Sequence, residues 1–532
     1  MCSKVLIADP IAAEGVNLLR EQVEVDVRLG LKPEELLEIV GDYEALIVRS
    51  ETKVTSEVIQ AGGRLRVIAR AGVGIDNVDV EAATRRGILV LNSPTGNVLS
   101  AAEFTITLLL ALCRRVTEAD ASLKSGQWKR QSFVGTQVLN KTLGLVGLGR
   151  VGGEVARRAQ GLQMRVIAFD PFLSPEAAQR LGVELLPLDE LLVRADFVSL
   201  HTPLTKDTLH LIGSRELSLM KEGAMLINAS RGGVVSEYAL VEALQSCHLA
   251  GAALDVFEKE PPPADHPLLA MPNVITTPHL GGSTREAQVD VALDVAQQVL
   301  AALRNEPVTS AINLPPLSRE RMQDMLPYVD LGGKLGQLLS QIAHAPIEAL
   351  QVQYHGDLAQ SDTGLITVAV IRGLLASRLS SHVTFVNAGI VARQRGIKVT
   401  ERRHVSNGEF GSALEACVAT SEGTRSVAGI VLPSGQARLV RIDNYRVDVE
   451  LGGYMLVSSN VDRPGMIGKV GTILGNENVN VAFMQLGRDS PGKRAVSVLL
   501  VDNPVADNVL EKLRLIDGII TMDFVDMGNQ VA

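Results

Sequence analysis

Short apolar runs alternate with longer amphipathic stretches over the first half of the chain. Four β-rich runs come first, and six more follow from residue 142 onward. Alternating strand and helix patterns are typical of βαβ units, so two successive parallel sheets are predicted. The predicted strands of the first sheet are 4–9, 45–50, 66–72 and 88–94; those of the second, six-stranded sheet are 142–147, 165–170, 197–202, 224–230, 250–257 and 273–279.

A long helix is predicted between the two series. Ser100 and Glu103 have the spacing of a capping box, in which the two side chains satisfy the first free N–H groups of a helix. We expect the helix to continue to about Lys124. Because its middle is strongly apolar, it should be buried at a domain or subunit junction.

The pattern changes after residue 312. Residues 313–327 are polar and marked by prolines, which indicates a linker. Residues 330–452 mix helix-like and alternating strand-like segments and contain no evident catalytic cluster. Residues 453–532 follow the order β-α-β-β-α-β, the pattern of a small ferredoxin-like domain.

Composition indicates a folded chain of several domains. The 532 residues correspond to three or four domains of roughly 150 residues each. Apolar residues make up 46% and aromatic residues only 3%, so the cores should consist of aliphatic side chains, as in helices packed on parallel strands. The net charge of −9 argues against nucleic acid or an anionic membrane as a partner.

Targeting and redox signals are weak. The apolar run at residues 5–8 is too short for a secretory signal, and the longest run, 108–113, is too short to span a bilayer. The four cysteines have no CxxC pair, so neither a disulfide framework nor a metal site is predicted. A cytoplasmic location is therefore expected.

Gly147, Gly149 and Gly152 form a GxGxxG motif between a predicted strand and a helix pattern. Asp170 ends the next predicted strand, 21 residues after Gly149. This context predicts a dinucleotide site, in which the pyrophosphate approaches a helix N-terminus and the carboxylate accepts hydrogen bonds from ribose hydroxyls. Because the charge of Asp170 would repel a 2′-phosphate, NAD is expected rather than NADP. The alternative is that Asp170 merely caps a helix.

Three polar residues follow successive predicted strands of the second series: Arg231, Glu260 and His279. Ligands of open parallel sheets bind at these carboxyl ends. A histidine suits the base that takes a hydroxyl proton as a hydride leaves, a glutamate would fix its tautomer, and an arginine would bind a carboxylate or a polarised carbonyl. Each residue taken singly has a structural explanation, but their joint occurrence after a dinucleotide motif favours catalysis.

A possible anion site lies in the first series. Arg49 and Arg70 follow predicted strands, and Arg70 begins a glycine-rich turn whose N–H groups would suit a carboxylate. The arginines would suit a phosphate, and a solvated scatter of charges is the alternative. The candidate substrate-binding residues are Arg49, Ser50, Arg70, Gly72, Val73, Gly74, Asn97 and Arg130.

The motifs GLGRVG, HTPLTKDT, INASRGGVV, ALDVFEKEP and PHLGGST occur in this order. With them, residues 1–312 resemble the D-isomer-specific 2-hydroxyacid dehydrogenases. The resemblance implies that Arg231, Glu260 and His279 are the catalytic set. The cofactor-binding residues expected from the motif and the resemblance together are Gly147, Gly149, Arg150, Val151, Gly152, Asp170, Thr202, Ala229, Ser230, Arg231, Asp255, His279, Gly281 and Gly282.

The whole chain resembles the long-form members of this family, which oxidise D-3-phosphoglycerate to 3-phosphohydroxypyruvate in the first step of L-serine biosynthesis. The resemblance implies that Arg49, Arg70 and Asn97 lie near the substrate and that Arg130 reaches across a dimer. A homo-oligomer, dimer or tetramer, is therefore expected. Some relatives have threonine where Val73 stands, so only backbone contact is expected at that position.

The Asp462-to-Gly465 turn and the sequence after it resemble an ACT domain, which senses amino acids. Asp462 would pair with an ammonium group, with Asn480 beside it; helix capping by Asp462 is the alternative. Asn460, Asp462 and Asn480 are thus effector-binding candidates, with L-serine as the expected feedback inhibitor. Three alternating arginines in residues 330–452 would suit either an anionic effector or a solvated strand face: Arg438, Arg441 and Arg446.

The expected fold class is α/β: a Rossmann-type doubly wound parallel sheet plus a flavodoxin-like substrate domain, followed by an α+β intervening domain and a ferredoxin-like ACT domain. The expected boundaries are 1–97 with 285–312 (substrate), 98–284 (NAD), 313–452 (intervening) and 453–532 (ACT). Two other functions remain open. The basic first series and the ACT segment argue against a glyoxylate or hydroxypyruvate reductase, and the βαββαβ tail argues against a NAD-sensing binding protein of the corepressor type.

Overall fold

Four β-sheets follow one another along the chain, with five, seven, six and four strands. The computed structural model describes residues 3–316, 321–379, 382–405, 411–488, 490 and 492–528. Each sheet, together with the helices that pack on it, is called a unit, and the units are numbered first to fourth in chain order. Across these described ranges, no helix is both long and apolar enough to cross a membrane.

The first sheet is parallel. Its strands are β1 (Lys4–Ile7), β2 (Glu24–Val27), β3 (Ala45–Val48), β4 (Val67–Arg70) and β5 (Leu89–Asn92), and its helices are α1 (Ala13–Arg20), α2 (Pro33–Ile39), α3 (Ser56–Ala61) and α4 (Val80–Arg85). The strand order β2-β1-β3-β4-β5 is flavodoxin-like, as predicted. All four residues of β3 are buried, as in a sheet covered on both faces.

The second sheet is also parallel. Its strands are β6 (Thr142–Val146), β7 (Arg165–Phe169), β8 (Glu184–Leu185), β9 (Phe197–Leu200), β10 (Ala224–Asn228), β11 (Leu249–Leu254) and β12 (Val274–Thr276). The order β12-β11-β10-β9-β6-β7-β8 is the predicted Rossmann-type winding. The order reverses between β6 and β9, and this reversal is where ligands of such sheets bind.

Nine α-helices are described from Val98 to Leu303: α5 (Val98–Cys113), α6 (Val116–Lys124), α7 (Arg150–Gly161), α8 (Pro175–Arg180), α9 (Leu188–Arg194), α10 (Ser214–Leu219), α11 (Glu237–Gln245), α12 (Pro267–Ala270) and α13 (Arg285–Leu303). The last of them, α13, returns to the first sheet. It packs on α1, β4 and β5 and completes one buried face there.

The single helix predicted from residue 100 to about 124 is two helices. α5 begins at Val98, and its start has no side-chain cap. Ser100 does not form the predicted capping box, because its hydroxyl donates to the Gly281 carbonyl oxygen at 2.9 Å. Arg115, between α5 and α6, has a left-handed φ of 52° that ends the first helix. α5 is buried on one face as predicted, whereas no residue of α6 is buried.

The third sheet is mixed. Its strands are β13 (Ile347–His355), β14 (Lys398–His404), β15 (Ala413–Thr420), β16 (Gly423–Val431), β17 (Ala437–Ile442) and β18 (Tyr445–Glu450); its helices are α14 (Met322–Ile342), α15 (Gly364–Ala376) and α16 (Ala388–Gln394). The order is β14-β13-β15-β16-β17-β18, and only the β13–β14 pair is parallel. The predicted linker 313–327 is too long, because α14 begins at Met322 and already buries Met325.

The fourth sheet is antiparallel and has the predicted ferredoxin-like order β20-β21-β19-β22. These elements are β19 (Tyr454–Val461), β20 (Val481–Arg488), β21 (Arg494–Val501) and β22 (Ile519–Asp526), with α17 (Met466–Asn476) and α18 (Asp507–Arg514). One face packs on its own helices. Met455, Val498 and Val525 on the other face share a hydrophobic core with the third unit. The fourth unit is therefore joined to the third by buried apolar contact.

Candidate active site

The glycine motif turns the chain from β6 into α7. A Cβ on Gly147, whose φ is 96°, would lie 2.6 Å from the His201 carbonyl oxygen. A Cβ on Gly152 would lie 2.3 Å from the Gly147 carbonyl oxygen, whereas Gly149 faces open space. Gly147 and Gly152 thus allow close backbone packing, and Gly149 leaves room for a pyrophosphate at the start of α7.

Asp170 follows β7 beside this motif. Its carboxylate accepts hydrogen bonds from the backbone N–H groups of Leu148 and Phe172, both at 2.9 Å. The next helix, α8, is capped by Ser174, so the helix-capping alternative for Asp170 does not apply. Each carboxylate oxygen has a further lone pair, which leaves acceptor capacity for ribose hydroxyls.

Other predicted cofactor residues surround the same end of the sheet. Arg150 begins α7 and donates to the Pro94 carbonyl oxygen at 3.0 Å. Ser230 follows β10 and bonds to Asn228. Among the described residues, the buried Thr202 hydroxyl oxygen has no hydrogen-bond partner. A free buried hydroxyl together with the glycine cradle fits a bound dinucleotide.

Asp255 holds the turn that carries His279. Its buried carboxylate accepts from the Thr277 hydroxyl at 2.6 Å and from the backbone N–H groups of Leu280 and Gly281 at 2.7 and 2.8 Å. The visible role of this side chain is to support the turn, and a direct contact with the cofactor stays a prediction.

His279 and Glu260 form the predicted pair. His279 Nδ1 lies 2.9 Å from Glu260 Oε2, and Glu260 Oε1 accepts from the Phe257 N–H at 3.2 Å. Burial would raise the pKa of Glu260, but the hydrogen bond and charge of His279 outweigh it and lower this pKa below its usual value. Glu260 is therefore ionised at neutral pH. A neutral ring that donates from Nδ1 keeps Nε2 free to accept a proton.

Arg231 reaches from the second unit to the first. Its Nη1 donates to the Ser230 carbonyl oxygen at 2.7 Å, and its Nε lies 3.3 Å from Asp76 Oδ2. A Cβ on Gly74 would lie 2.3 Å from Arg231 Nη2. The glycine-rich turn of the first unit and the catalytic candidates of the second therefore face one cleft.

Positive charge is concentrated on the first-unit side of this cleft. Burial, and next the charge of Arg231, lower the pKa of Arg70 to about 10; Arg49 also lowers it. Among the described residues, Arg70 Nε is buried without a hydrogen-bond partner. Arg70 thus has a free buried N–H and two further guanidinium groups that act on it, an arrangement that would suit an anion.

The remaining residues predicted to bind substrate differ in their contacts and exposure. A Cβ on Gly72 would collide with Arg70, and a Cβ on Gly282 would lie 2.9 Å from Asn97 Nδ2. Ser50 is exposed beside Arg49. The Asn92 side-chain amide donates to the Val73 carbonyl oxygen at 2.7 Å and so supports the turn. Sequence reasoning missed Asn92.

Arg130 lies apart from this group, in a short 3-10 helix, Arg130–Phe133. Its side chain is exposed and forms no hydrogen bond or ion pair with the part of this chain that the structure describes. The structure of one chain therefore does not bring it to the cleft.

The fourth unit contains a cavity of about 660 Å³ lined by Asn460, Asp462 and Arg488, among others. Asp462 pairs with Arg488 at 2.9 Å and α17 begins without a side-chain cap, so Asp462 does not cap that helix. Asn480 does not lie beside Asp462 as expected. Its side chain donates to Asp502 at 2.7 Å. Asn480 immediately precedes the first residue of β20, so the length of the strand, roughly 26 Å, separates it from Arg488 at the other end.

Arg438 and Arg441 of the third unit form ion pairs within their own sheet. Arg438 pairs with Asp448 at 2.7 Å, and Arg441 pairs with Glu415 at 2.6 Å. Arg446 stands opposite Arg441 in the β17–β18 register. These pairings favour the strand-face interpretation.

Three family models match the chain. Residues 106–281 match the NAD-binding domain of the D-isomer-specific 2-hydroxyacid dehydrogenases. Residues 324–443 match the D-3-phosphoglycerate dehydrogenase intervening domain, and residues 454–514 match the ACT domain. NAD is therefore the cofactor of this chain.

Whole proteins and solved structures give the same family. The D-3-phosphoglycerate dehydrogenase of Archaeoglobus fulgidus is 43% identical over 98% of this chain and 100% of its own length. A crystal structure of a Thermus thermophilus protein is 40% identical with a TM-score of 0.55, covering 58% of this chain and 99% of that one. The Aquifex aeolicus D-lactate dehydrogenase complexed with NAD and lactic acid is 28% identical with a TM-score of 0.52, covering 57% and 96%. The chain belongs to the D-3-phosphoglycerate dehydrogenase family of the D-isomer-specific 2-hydroxyacid dehydrogenases.

Proposed function

We propose that the protein oxidises D-3-phosphoglycerate to 3-phosphohydroxypyruvate with NAD, the first step of L-serine biosynthesis. The observation that carries the proposal is the His279–Glu260 pair, at 2.9 Å, on the same cleft as Arg231 and the arginines of the first unit. A base, its orienting carboxylate and an anion site are what this reaction requires.

NAD, when bound, supplies the hydride acceptor. His279 takes the proton of the substrate hydroxyl at Nε2 while Glu260 holds Nδ1–H and stabilises the imidazolium that forms. Arg231 binds the substrate carboxylate and the carbonyl oxygen that develops at C2. In the reverse direction, His279 returns the proton to that oxygen.

The substrate phosphate is assigned to Arg49 and Arg70. These side chains lie on the first-unit side of the cleft, where their charges act on each other. The backbone of the turn from Gly72 to Gly74 and the Asn97 side chain would complete the site. A small hydroxy acid without a phosphate carries a single carboxylate charge and would not require two further arginines.

The experiment is NADH formation with D-3-phosphoglycerate, D-glycerate and D-lactate side by side. We expect a kcat/KM at least about a hundredfold higher for the phosphorylated acid, the effect of roughly 3 kcal/mol of charged hydrogen bonds. Equal or better turnover of the other two acids would refute the proposal and favour a glyoxylate or hydroxypyruvate reductase. NAD binding without any oxidation would favour the NAD-sensing binding protein.

A regulatory role is proposed for the fourth unit. The ACT match supports an amino-acid effector, and we propose L-serine, bound in the cavity that contains Asn460 and Asp462. Asn480 does not line this cavity in one chain, so a role for it in effector binding would require a second copy of the chain. Because this unit shares a core with the third, calorimetry should use the full chain. Absence of L-serine binding there would refute the effector assignment.

The predicted domain boundaries also stay proposals. The three matched family ranges lie close to the proposed NAD-binding, intervening and ACT domains, and the packing of α13 on the first sheet supports joining 285–312 to 1–97. A dimer or tetramer is proposed because Trp128 and Val134, close to Arg130, are 81% and 80% exposed. Light scattering that shows a monomer would refute it. A cytoplasmic location remains part of the proposal.

A further inference from the structure

Asp76 places a negative charge among the arginines of the cleft. Asp76 Oδ2 lies 3.3 Å from Arg231 Nε, and 72% of the Asp76 side chain is exposed. Asp76 also opposes the effect of Arg231 and Arg49 on Arg70. A negative charge here repels an anionic substrate, so its presence weakens binding. The presence of Asp76 therefore needs an explanation other than affinity for the substrate.

The turn does not depend on the Asp76 side chain. Asn77 Nδ2 donates to the carbonyl oxygens of Arg49 and Thr52, both at 2.6 Å, and fixes the turn to the end of β3. Asp79 caps α4 by accepting from the Ala82 N–H at 2.9 Å. The side chains on either side thus form the local structure, while Asp76 points its carboxylate at Arg231.

The guanidinium of Arg231 is held on two edges. Its Nη1 donates to Ser230 of its own unit, and its Nε faces Asp76 of the other unit. Its Nη2 lies against Gly74, where any side chain would collide. A free arginine side chain has several rotatable bonds, and these contacts remove that freedom before substrate arrives.

We propose that Asp76 is a positioning residue that fixes Arg231 across the cleft, and that its charge reduces substrate affinity as a consequence. The inference rests on the proposed function, because Arg231 acts on the substrate in that reaction. Removal of Asp76 should lower kcat, because the guanidinium would no longer be preorganised. Removal of its charge should lower KM, most strongly for the substrate with the greater negative charge.

Three variants separate the two effects. Asp76→Ala should lower kcat about three- to fivefold, the effect of a largely exposed ion pair, and lower KM for D-3-phosphoglycerate roughly threefold. Asp76→Asn should lower KM to the same extent but kcat less, because its amide oxygen still faces Nε. Asp76→Glu should restore most of kcat. Glu81→Gln is the matched control, since it removes one exposed, paired carboxylate from α4 of the same unit. It should change neither constant.

A binding measurement without turnover completes the test. Inorganic phosphate, added without NAD, should raise the melting temperature of Asp76→Asn more than that of the wild type. An unchanged kcat in Asp76→Ala, a KM that rises with the fall in kcat, or an equal response to phosphate would overturn the inference. Wild-type protein inactive on D-3-phosphoglycerate would instead refute the proposed function, so the two failures are distinguishable.

Discussion

Replacement of Glu260 by glutamine tests the orientation of the base. In the native pair, Glu260 Oε2 holds His279 Nδ1 at 2.9 Å while Oε1 accepts from the Phe257 N–H at 3.2 Å. A glutamine oxygen can keep the bond from Phe257, which turns its NH₂ group toward Nδ1. Nδ1 must then accept, so the ring proton moves to Nε2. Only the minor tautomer, in which the ring gives up its hydrogen bond with the glutamine, can then take a proton from the substrate hydroxyl.

The size of the effect follows from the exposure of the pair. A hydrogen bond to a charged partner contributes about 1.5–3 kcal/mol. The Glu260 and His279 side chains are 40% and 47% exposed, so solvent screening places the loss in the lower half of that range. About 1.5–2 kcal/mol in the transition state corresponds to a kcat roughly 10- to 30-fold lower.

The assay is kcat for NADH formation at saturating substrate, with NAD binding followed by fluorescence. Glu260→Gln should bind NAD as the wild type does, because Glu260 lies outside the glycine motif. Glu260→Asp keeps the charge on a shorter side chain and should retain more activity than Glu260→Gln. A kcat within twofold of the wild type in Glu260→Gln would refute the role given to the carboxylate.

Three further outcomes follow from the structure. Gly152→Ala should abolish measurable NAD binding, because its Cβ would lie 2.3 Å from the Gly147 carbonyl oxygen; fluorescence titration checks this. Burial lowers the pKa of Arg70 to about 10. KM for D-3-phosphoglycerate should therefore rise as the pH passes about 10 and this side chain loses its charge, and Arg70→Lys should shift that profile. Burial lowers the pKa of His201 to about 4, so the folded state keeps it neutral while the unfolded chain protonates near 6.5. Thermal melts should show stability falling as pH drops from about 6.5 toward 4, and falling less in His201→Asn.

Sequence reasoning succeeded where elements are long and apolar and failed where they are short or polar. β2 is half exposed and charged, and β8 has two residues, so neither gives a β-rich run. The break between α5 and α6 depends on the left-handed Arg115, which no hydrophobic pattern encodes. Ser100 has the spacing of a helix cap, but a tertiary bond to Gly281 is the contact it forms.

The candidate site shows the same division. The glycines, Asp170 and His279 are recognisable because each chemical role restricts the residue type at a fixed strand end. Asp76 was missed although it lies only two residues after the predicted turn, because a carboxylate has no expected place in an anion site. Asn480 was assigned to effector binding through the resemblance to an ACT domain, yet the length of β20 separates it from Asp462 in one chain.

The units without candidate active-site residues are nevertheless fixed to the units that have them. Thr384 of the third unit donates to the Gly87 carbonyl oxygen at 3.1 Å, just after α4 of the first unit. A Cβ on Gly87 would lie 2.7 Å from that hydroxyl, so the contact is close-packed. The fourth sheet in turn shares a hydrophobic core with the third unit. Contiguous packing does not by itself demonstrate coupling between sites. It does mean that excision of the fourth unit alone would expose apolar surface of the third unit, and that excision of both units would unpair the Gly87 carbonyl oxygen. Catalysis and effector binding are therefore properly measured on the same intact chain.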